Sequence, residues 1–90
     1  MPEDEEELGV TENEYSNLSI YPNPTSGLVQ LKYSDVIQEV RVYDMSGQLV
    51  FRANNNSEIL SIDFAAYARG VYSIELYTPG GILHSRIVKQ

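Results

Sequence analysis

The residues that could support catalysis are few and scattered along this chain of 90 residues. His84 is the one histidine, and its place in the predicted last strand, beside Arg86, indicates a surface residue, because no paired nucleophile accompanies it. The serines available to it fall in predicted hairpin turns, not in a strained strand-to-helix turn. Paired carboxylates occur only in the first 14 residues, where nothing would hold them at a fixed separation. The sequence therefore predicts a protein that is not an enzyme and has no catalytic residues.

Ligand-binding motifs are equally sparse. The chain contains no cysteine, which excludes disulfides and thiolate metal sites. Its acidic start lacks the Asp-x-Asp-x-Asn-Gly spacing of a calcium loop. The stretch Pro79-Gly80-Gly81 joins two predicted strands and opens no helix, so it is not a phosphate-binding loop. We expect no metal and no cofactor.

The net charge of −7 belongs to one part of the chain. Residues 1–14 hold seven acidic side chains and no basic one, whereas residues 15–90 hold six of each. This predicts an acidic flexible linker over 1–14 and one folded domain over 15–90. The neutral domain has no basic field for a nucleic acid, and no apolar stretch reaches the roughly 20 residues of a membrane-spanning segment. The start lacks the features of a signal peptide, so we expect an exported form to carry its export signal upstream.

Seven tyrosines could provide a surface on which sugars stack. The chain has no tryptophan, and no strand face carries three aromatic side chains. We therefore interpret the tyrosines as half-buried strand residues. A carbohydrate- or protein-binding β-sandwich module of a cell-surface enzyme remains the alternative function.

The predicted elements are organised around an elbow, the stretch Tyr21-Pro22-Asn23-Pro24-Thr25-Ser26-Gly27. Its two prolines fix φ and remove two backbone donors, so the stretch cannot lie inside a helix or a central strand. The residue before each proline is driven to extended geometry. We expect Gly27 to adopt positive φ and to close a turn before the next strand.

Alternation of apolar and polar residues predicts seven short strands, at 18–21, 28–33, 36–44, 49–52, 60–64, 71–77 and 82–89. Between them we expect a turn at Ser34-Asp35, a hairpin turn with positive φ at Gly47, a loop over 54–57 and one helical turn over 65–68. This pattern favours an all-β fold, an antiparallel Greek-key β-sandwich of about seven short strands in which a Greek-key return pairs the first strand with the last.

The same alternation predicts the core of this sandwich. The expected inward side chains are Leu18, Ile20, Val29, Leu31, Val40, Val42, Leu49, Phe51, Leu60, Ile62, Phe64, Tyr72, Ile74, Leu76 and Ile87.

Four segments stand in a recognisable order: the elbow, Val42 to Val50, Gly70 to Ile74, and Gly81 to Gln90 with its basic residue near the end. Together they resemble the C-terminal sorting domains of the bacterial type IX secretion system, over residues 18–90. In that family they are the opening motif, the central hairpin, the penultimate strand and the closing strand. The family's Leu-Pro-x-Gly entry to the penultimate strand is replaced by Tyr67-Ala68-Arg69-Gly70, which lacks the proline.

The resemblance implies an immunoglobulin-like, non-catalytic sorting signal fused to an N-terminal cargo domain. Its implied partners are the outer-membrane translocon and a sortase-like peptidase of this system. The peptidase removes the signal, within the acidic linker or just before Leu18, and can attach the cargo to surface lipopolysaccharide. The implied location is the periplasm in transit, then the cell surface or the medium.

The positions that match the family's motifs are the candidate recognition residues. They are Pro22, Asn23, Pro24, Gly27, Asp44, Gly47, Gly70, Tyr72, Arg86, Lys89 and Gln90. We expect a partner to pair with the edge of the last strand, Ile82 to Gln90, with His84, Arg86 and Lys89 setting selectivity. The elbow and Gly47 are expected to serve folding.

Overall fold

The structure, a computed structural model, describes residues 17–90. These residues form five strands: β1 (Ser19–Tyr21), β2 (Leu28–Tyr43), β3 (Leu49–Asp63), β4 (Gly70–Thr78) and β5 (Gly81–Lys89). All four strand pairings are antiparallel, which confirms the all-β prediction. Within this part of the chain no helix could cross a membrane. The predicted acidic linker lies outside the described residues.

The long strands β2 and β3 are bent. At about 3.3 Å per residue, the 16 residues of β2 would extend roughly 50 Å if straight, but the longest dimension of the structure is 33 Å. The first half of β2 pairs with β1 and with the end of β3. Its second half pairs with the start of β3 and with β4, which pairs in turn with β5. The bend therefore makes β2 and β3 members of both layers of a sandwich.

The bend explains why there are five strands and not the seven predicted. The expected turn at Ser34-Asp35 and loop over 54–57 both lie inside strands, and Ile37 pairs with Ser57 between register shifts. We call residues 33–38 of β2 and 54–58 of β3 the corner. There the Asn55 side-chain amide donates to the carbonyls of Ile37, Ser57 and Ile59 at 3.0, 3.1 and 3.3 Å. These bonds replace ladder bonds that the shifted register cannot make.

Two further predictions were wrong. Residues 65–68 form a turn, closed by the Tyr67 amide on the Phe64 carbonyl at 2.9 Å, and not a helical turn. The strand order is β1-β2-β4-β5 with β3 against β2, so β1 does not pair with β5 as the Greek-key return required. A parallel bridge from Thr25 to Lys89 joins the two regions instead.

The core is one cluster between the two layers. Its buried apolar members are Val29, Leu31, Ile37, Val40, Val42, Leu60, Ile62, Phe64, Tyr72, Ile74, Leu76 and Ile87. Leu49, predicted inward, is 46% exposed, because a register shift after Val42 places it opposite the outward Tyr43. Ile37 was missed, because the corner reverses which alternate residues of β2 face inward. Leu18, Ile20 and Phe51 are partly buried against the cluster.

Candidate recognition surface

The elbow is hydrogen-bonded to the end of β5. The Asn23 amide nitrogen donates to the Arg86 carbonyl and its oxygen accepts from the Val88 amide, both at 2.9 Å. Thr25 continues this pairing through its backbone: its amide donates to the Val88 carbonyl at 2.9 Å, and its carbonyl accepts from the Gln90 amide at 2.8 Å. We call these four bonds the clasp. The clasp gives β5 a second hydrogen-bonded neighbour along its last residues.

The Thr25 side chain is buried, with 2% of the residue exposed. Its hydroxyl accepts from the Gly27 amide at 3.0 Å and donates to the Leu28 carbonyl at 3.1 Å. The Gly27 carbonyl accepts from the Phe64 amide, so the elbow also binds the 64–69 turn. Positive φ occurs at Gly47, Gly70 and Gly81 and not at Gly27, which corrects the prediction for Gly27. The hydroxyl of Thr25, and not positive φ at Gly27, organises this turn.

Lys89 is buried beside an aromatic cluster, and only 8% of the residue is exposed. Its Nζ donates to the Tyr67 carbonyl at 3.1 Å. The buried Tyr72 ring lies 5.4 Å from that of Phe64 between centroids, and its hydroxyl donates to the Ala68 carbonyl at 2.6 Å. Lys89 and Tyr72 therefore hold the 64–69 turn. The expectation that Lys89 contacts a partner on the exposed edge conflicts with this burial.

The hairpin between β2 and β3 is fixed by Asp44. One carboxylate oxygen, Oδ1, accepts from the Ser46 hydroxyl at 2.6 Å, the Ser46 amide at 2.9 Å and the Gln48 amide at 3.0 Å. These bonds, led by that of the Ser46 hydroxyl, lower the pKa of Asp44 below its usual value. Gly47 has φ of +86°, which confirms the predicted positive φ. Met45, at the tip of this turn, is 80% exposed.

Strand pairing brings the motif residues to one end of the sandwich. Lys89 pairs with Gly70 and bridges to Thr25, while Tyr43, just before the Asp44 turn, pairs with Ser73. We call this region the motif end. It contains all eleven candidate residues, namely Pro22, Asn23, Pro24, Gly27, Asp44, Gly47, Gly70, Tyr72, Arg86, Lys89 and Gln90. The first residue of β1, Ser19, lies on the side away from the motif end, because it pairs with Lys32, close to the corner.

Polar side chains form a connected network on the outer face of β3, β2 and β4. Glu39 Oε2 accepts from Arg41 Nε at 2.6 Å and from Arg52 Nε at 2.8 Å. The hydrogen bond from Arg41 is the largest cause of the lowered pKa of Glu39, and the same bond raises the pKa of Arg41. The Arg41 guanidinium carbon lies 4.9 Å from the centroid of the Tyr77 ring. The Arg41 guanidinium therefore covers part of the Tyr77 ring face on which a bound sugar would stack.

Glu75 joins the network to β5. Its Oε1 accepts from the hydroxyls of Tyr43 and Tyr77 at 3.1 and 3.0 Å, and its Oε2 lies 4.0 Å from His84 Nδ1. Burial, followed by the Glu75 bond, raises the pKa of Tyr77. The side chain of His84 is 63% exposed, so the prediction of a surface histidine is confirmed. Among residues 17–90, no three His, Cys, Asp or Glu side chains gather as metal ligands.

The clasp covers only part of the edge that we expected a partner to use. Backbone groups of Arg86, Val88 and Gln90 point to the elbow. Alternate residues share a direction, so those of Ile82 and His84 point to the same side, beyond the reach of Asn23. In the described part of the chain, β5 has no strand partner except β4. The free edge is therefore Ile82 to Ser85.

The sequence patterns did not identify two structurally important residues, Thr25 and Asn55. Thr25 carried a usable signal, because a threonine two residues before a glycine in a turn commonly binds the backbone with its hydroxyl. The composition around Asn55 predicts a loop. Asparagine commonly binds nearby backbone groups, but nothing local shows that the two strands remain paired around it.

Comparison with known proteins identifies both the fold and the family. None of the curated protein sequences matches this chain. A Bacteroides vulgatus protein of the DUF3244 family, described as an immunoglobulin-like β-sandwich, is similar with a TM-score of 0.69 and 20% identity, over 82% of this chain and 85% of that one. PorZ of Porphyromonas gingivalis, described as an essential bacterial surface component of the type IX secretion system, is similar with a TM-score of 0.65 and 20% identity.

The similarity to PorZ covers 89% of this chain but only 12% of PorZ. At 20% identity both structures establish the fold alone, an immunoglobulin-like sandwich. Residues 19–90 match the family described as the secretion system C-terminal sorting domain. Because this match spans all five strands, the chain belongs to the family of C-terminal sorting domains of the type IX secretion system.

Proposed function

We propose that residues 15–90 are a sorting signal that directs a larger cargo protein across the outer membrane through the type IX secretion system. The observation that carries this proposal is the family match over residues 19–90. The convergence of the motif residues at one end supports it, because a recognition element must present its features together. The fold shared with part of PorZ is consistent with the same system.

The proposed course has three steps. The cargo and its signal cross the periplasm together, and the outer-membrane translocon recognises the signal. A sortase-like peptidase then cuts before the domain and can join the released cargo to surface lipopolysaccharide. A peptidase needs extended, accessible backbone, and β1 is already paired from Ser19 onward. The cut is therefore expected in the acidic linker or just before Leu18.

The recognition step is proposed to use the free edge, Ile82 to Ser85. Its outward backbone groups at Ile82 and His84 can accept a partner strand, and these residues also expose their side chains. The clasp holds the rest of β5 in place and so fixes the edge for pairing. In this proposal the elbow contributes to recognition indirectly, by stabilising the fold that presents the free edge.

Export of a fusion protein tests the proposed function. Residues 15–90 are fused to a reporter with its own periplasmic export signal, in a host with the secretion system and in the same host lacking the translocon. We expect a shortened reporter in the medium or on the surface only when the translocon is present. Release that does not depend on the translocon would contradict the proposal. Saturable binding of the purified domain to polysaccharides would favour the carbohydrate-binding alternative.

A further inference from the structure

The elbow binds the edge of β5 in the manner of a parallel strand. In a parallel ladder, a residue donates to one carbonyl of its neighbour and accepts from the amide two residues further along. Thr25 does this with its backbone, since it bonds the Val88 carbonyl and the Gln90 amide. Asn23 does the same with its side-chain amide, which bonds the Arg86 carbonyl and the Val88 amide. The clasp therefore fills two consecutive positions of a parallel ladder.

The edge of β5 before the clasp offers two more positions of the same kind. Alternate residues of a strand direct their backbone groups to the same side, so those of Ile82, His84 and Arg86 point the same way as those of Val88. One open position is the His84 carbonyl with the Arg86 amide. The other is the Ile82 carbonyl with the His84 amide. Within residues 17–90 none of these four groups is hydrogen-bonded.

The burial of the inward side chains of β5 changes where the clasp ends. Ile87 and Lys89, beside the two filled positions, are 0% and 8% exposed. Leu83 and Ser85, beside the two open positions, are only half-buried. Leu83 already packs against the core cluster, so an apolar side chain placed beside it would extend the core. A strand added at the open positions would thus continue the cover that the elbow begins.

The backbone groups near the clasp favour a parallel over an antiparallel partner. An antiparallel residue facing Arg86 would direct both its N–H and its carbonyl at that residue. The Arg86 carbonyl already accepts from the Asn23 amide, so the incoming N–H would meet a second donor. A parallel strand avoids this conflict, because its last bond is to the Arg86 amide. Two copies of β5 related by a twofold axis would pair antiparallel, which disfavours a second copy of the chain as the partner.

We propose that an extended segment of the export machinery adds to β5 as a parallel strand, in line with the elbow. Two alternate residues of this segment form four hydrogen bonds, to the carbonyls of Ile82 and His84 and to the amides of His84 and Arg86. The first of the two carries an apolar side chain, which lies beside Leu83. The segment leaves the edge at Arg86, because the elbow occupies the next position. This inference rests on the proposed function and adds the direction, register and chemistry of the partner.

Proline substitutions distinguish the two directions by export of the reporter fusion. A parallel partner needs the Arg86 amide and not the Ile82 amide, and an antiparallel partner needs the reverse. Proline removes an amide and is tolerated where the N–H faces away from the sheet. We expect Arg86→Pro to lower export about fivefold or more relative to Arg86→Ala, the change produced by one lost hydrogen bond. Ile82→Pro should lower export less relative to Ile82→Ala, and each proline variant should melt within a few degrees of its alanine counterpart.

Photocrosslinking tests the direction with every amide in place, and so does not depend on the folding of the proline variants. A photoreactive amino acid replaces Ile82 in one fusion and Arg86 in another. These outward positions on β5 are about 13 Å apart along the strand. We expect both probes to crosslink to one outer-membrane component, with the Arg86 probe attached C-terminal to the point that the Ile82 probe reaches. A probe at Lys32, on the other layer, should not give this product.

The outcomes separate this inference from the proposed function. A larger loss of export for Ile82→Pro than for Arg86→Pro, or crosslinks in the opposite order, would overturn the parallel strand alone. A crosslinked dimer of the chain, or no crosslink from either probe while the wild-type fusion is exported, would also overturn it. Failure of the wild-type fusion to be exported through the translocon would instead overturn the proposed function.

Discussion

At the motif end, Asn23 and Thr25 bind the backbone of β5 along its outer edge, whereas at the corner the Asn55 side chain binds backbone inside the bent β2–β3 hairpin. The difference lies in what is connected. Asn23 binds β5 residues 63 and 65 positions away, while Asn55 reaches at most 18 positions, within the β2–β3 hairpin. The clasp therefore determines where β5 lies relative to the elbow, and the corner determines only how one hairpin bends. The residues matching the family's motifs are at the end with the long-range connections.

Deletion of Val88-Lys89-Gln90 should lower the stability of the domain more than any other change at the motif end or the corner. It removes both backbone partners of Thr25, one partner of Asn23 and the buried Lys89. At about 1 kcal/mol for each of three hydrogen bonds, we expect a loss of about 3 kcal/mol or more in the free energy of unfolding. That corresponds to a fall of roughly 12 °C or more in Tm for a domain of this size.

If the end of the last strand served only to bind a partner, this deletion would stop export and leave the domain folded. The clasp implies instead that stability and export fall together. Gln90→Ala, which keeps the backbone, is the control and should melt like wild type. A truncated domain with an unchanged Tm in thermal denaturation would show that the clasp contributes nothing to stability.

Thr25→Val should have the next largest effect. Valine keeps the volume but leaves the Gly27 amide and the Leu28 carbonyl without the hydroxyl that binds them. Loss of a partner by partly buried polar groups costs about 1–3 kcal/mol, which thermal or chemical denaturation can measure. Thr25→Ser retains the hydroxyl and should lose less. Equal stability of the valine and serine variants would contradict the role given to the hydroxyl.

Asn23→Ala and Asn55→Ala should each cost about 1 kcal/mol, because the bonds that they remove lie partly in solvent. The two variants are expected to destabilise different parts of the structure. Amide hydrogen exchange should speed up at Val88 in the first variant and within the β2–β3 hairpin in the second. Faster exchange in β5 of the Asn55 variant would remove the distinction between a long-range clasp and a local corner.

Lys89→Met should change the free energy of unfolding by less than about 1 kcal/mol. Methionine preserves the long apolar stem, so only the hydrogen bond from Nζ to the Tyr67 carbonyl is lost. Export of the fusion should remain at the wild-type level because the ammonium group is buried. A loss of export at unchanged Tm would return Lys89 to the partner-binding surface.

The smallest effect is expected for Asp44→Asn, and it should depend on pH. The pKa of Asp44 is lowered in the folded state, so its ionised form contributes stability above the unfolded value, about 4. That contribution is lost as pH falls through the lower folded pKa. The wild type should therefore melt above the variant near pH 6, and the gap should close toward pH 3. A gap independent of pH would show that the carboxylate charge is not involved.

Features that depend on a few neighbouring residues could be predicted from the sequence, whereas features that depend on long-range pairing could not. The elbow and the Gly47 turn depend on proline and glycine at fixed positions, and alternation identified most buried residues. The corner was not predictable, because Ser34-Asp35 and the asparagine run have turn composition while pairing across the hairpin overrides it. Nor was the burial of Lys89, which depends on where the 64–69 turn packs. The motif positions were found, but not the contacts that join them.

Amide hydrogen exchange along β5 of the wild-type chain tests the clasp most directly. The amides of Val88 and Gln90 donate to Asn23 and Thr25, so both should exchange as slowly as amides inside paired strands. The amide of His84 points to the same side beyond the clasp and should exchange much faster. Fast exchange at Val88 and Gln90, equal to that at His84, would contradict the account.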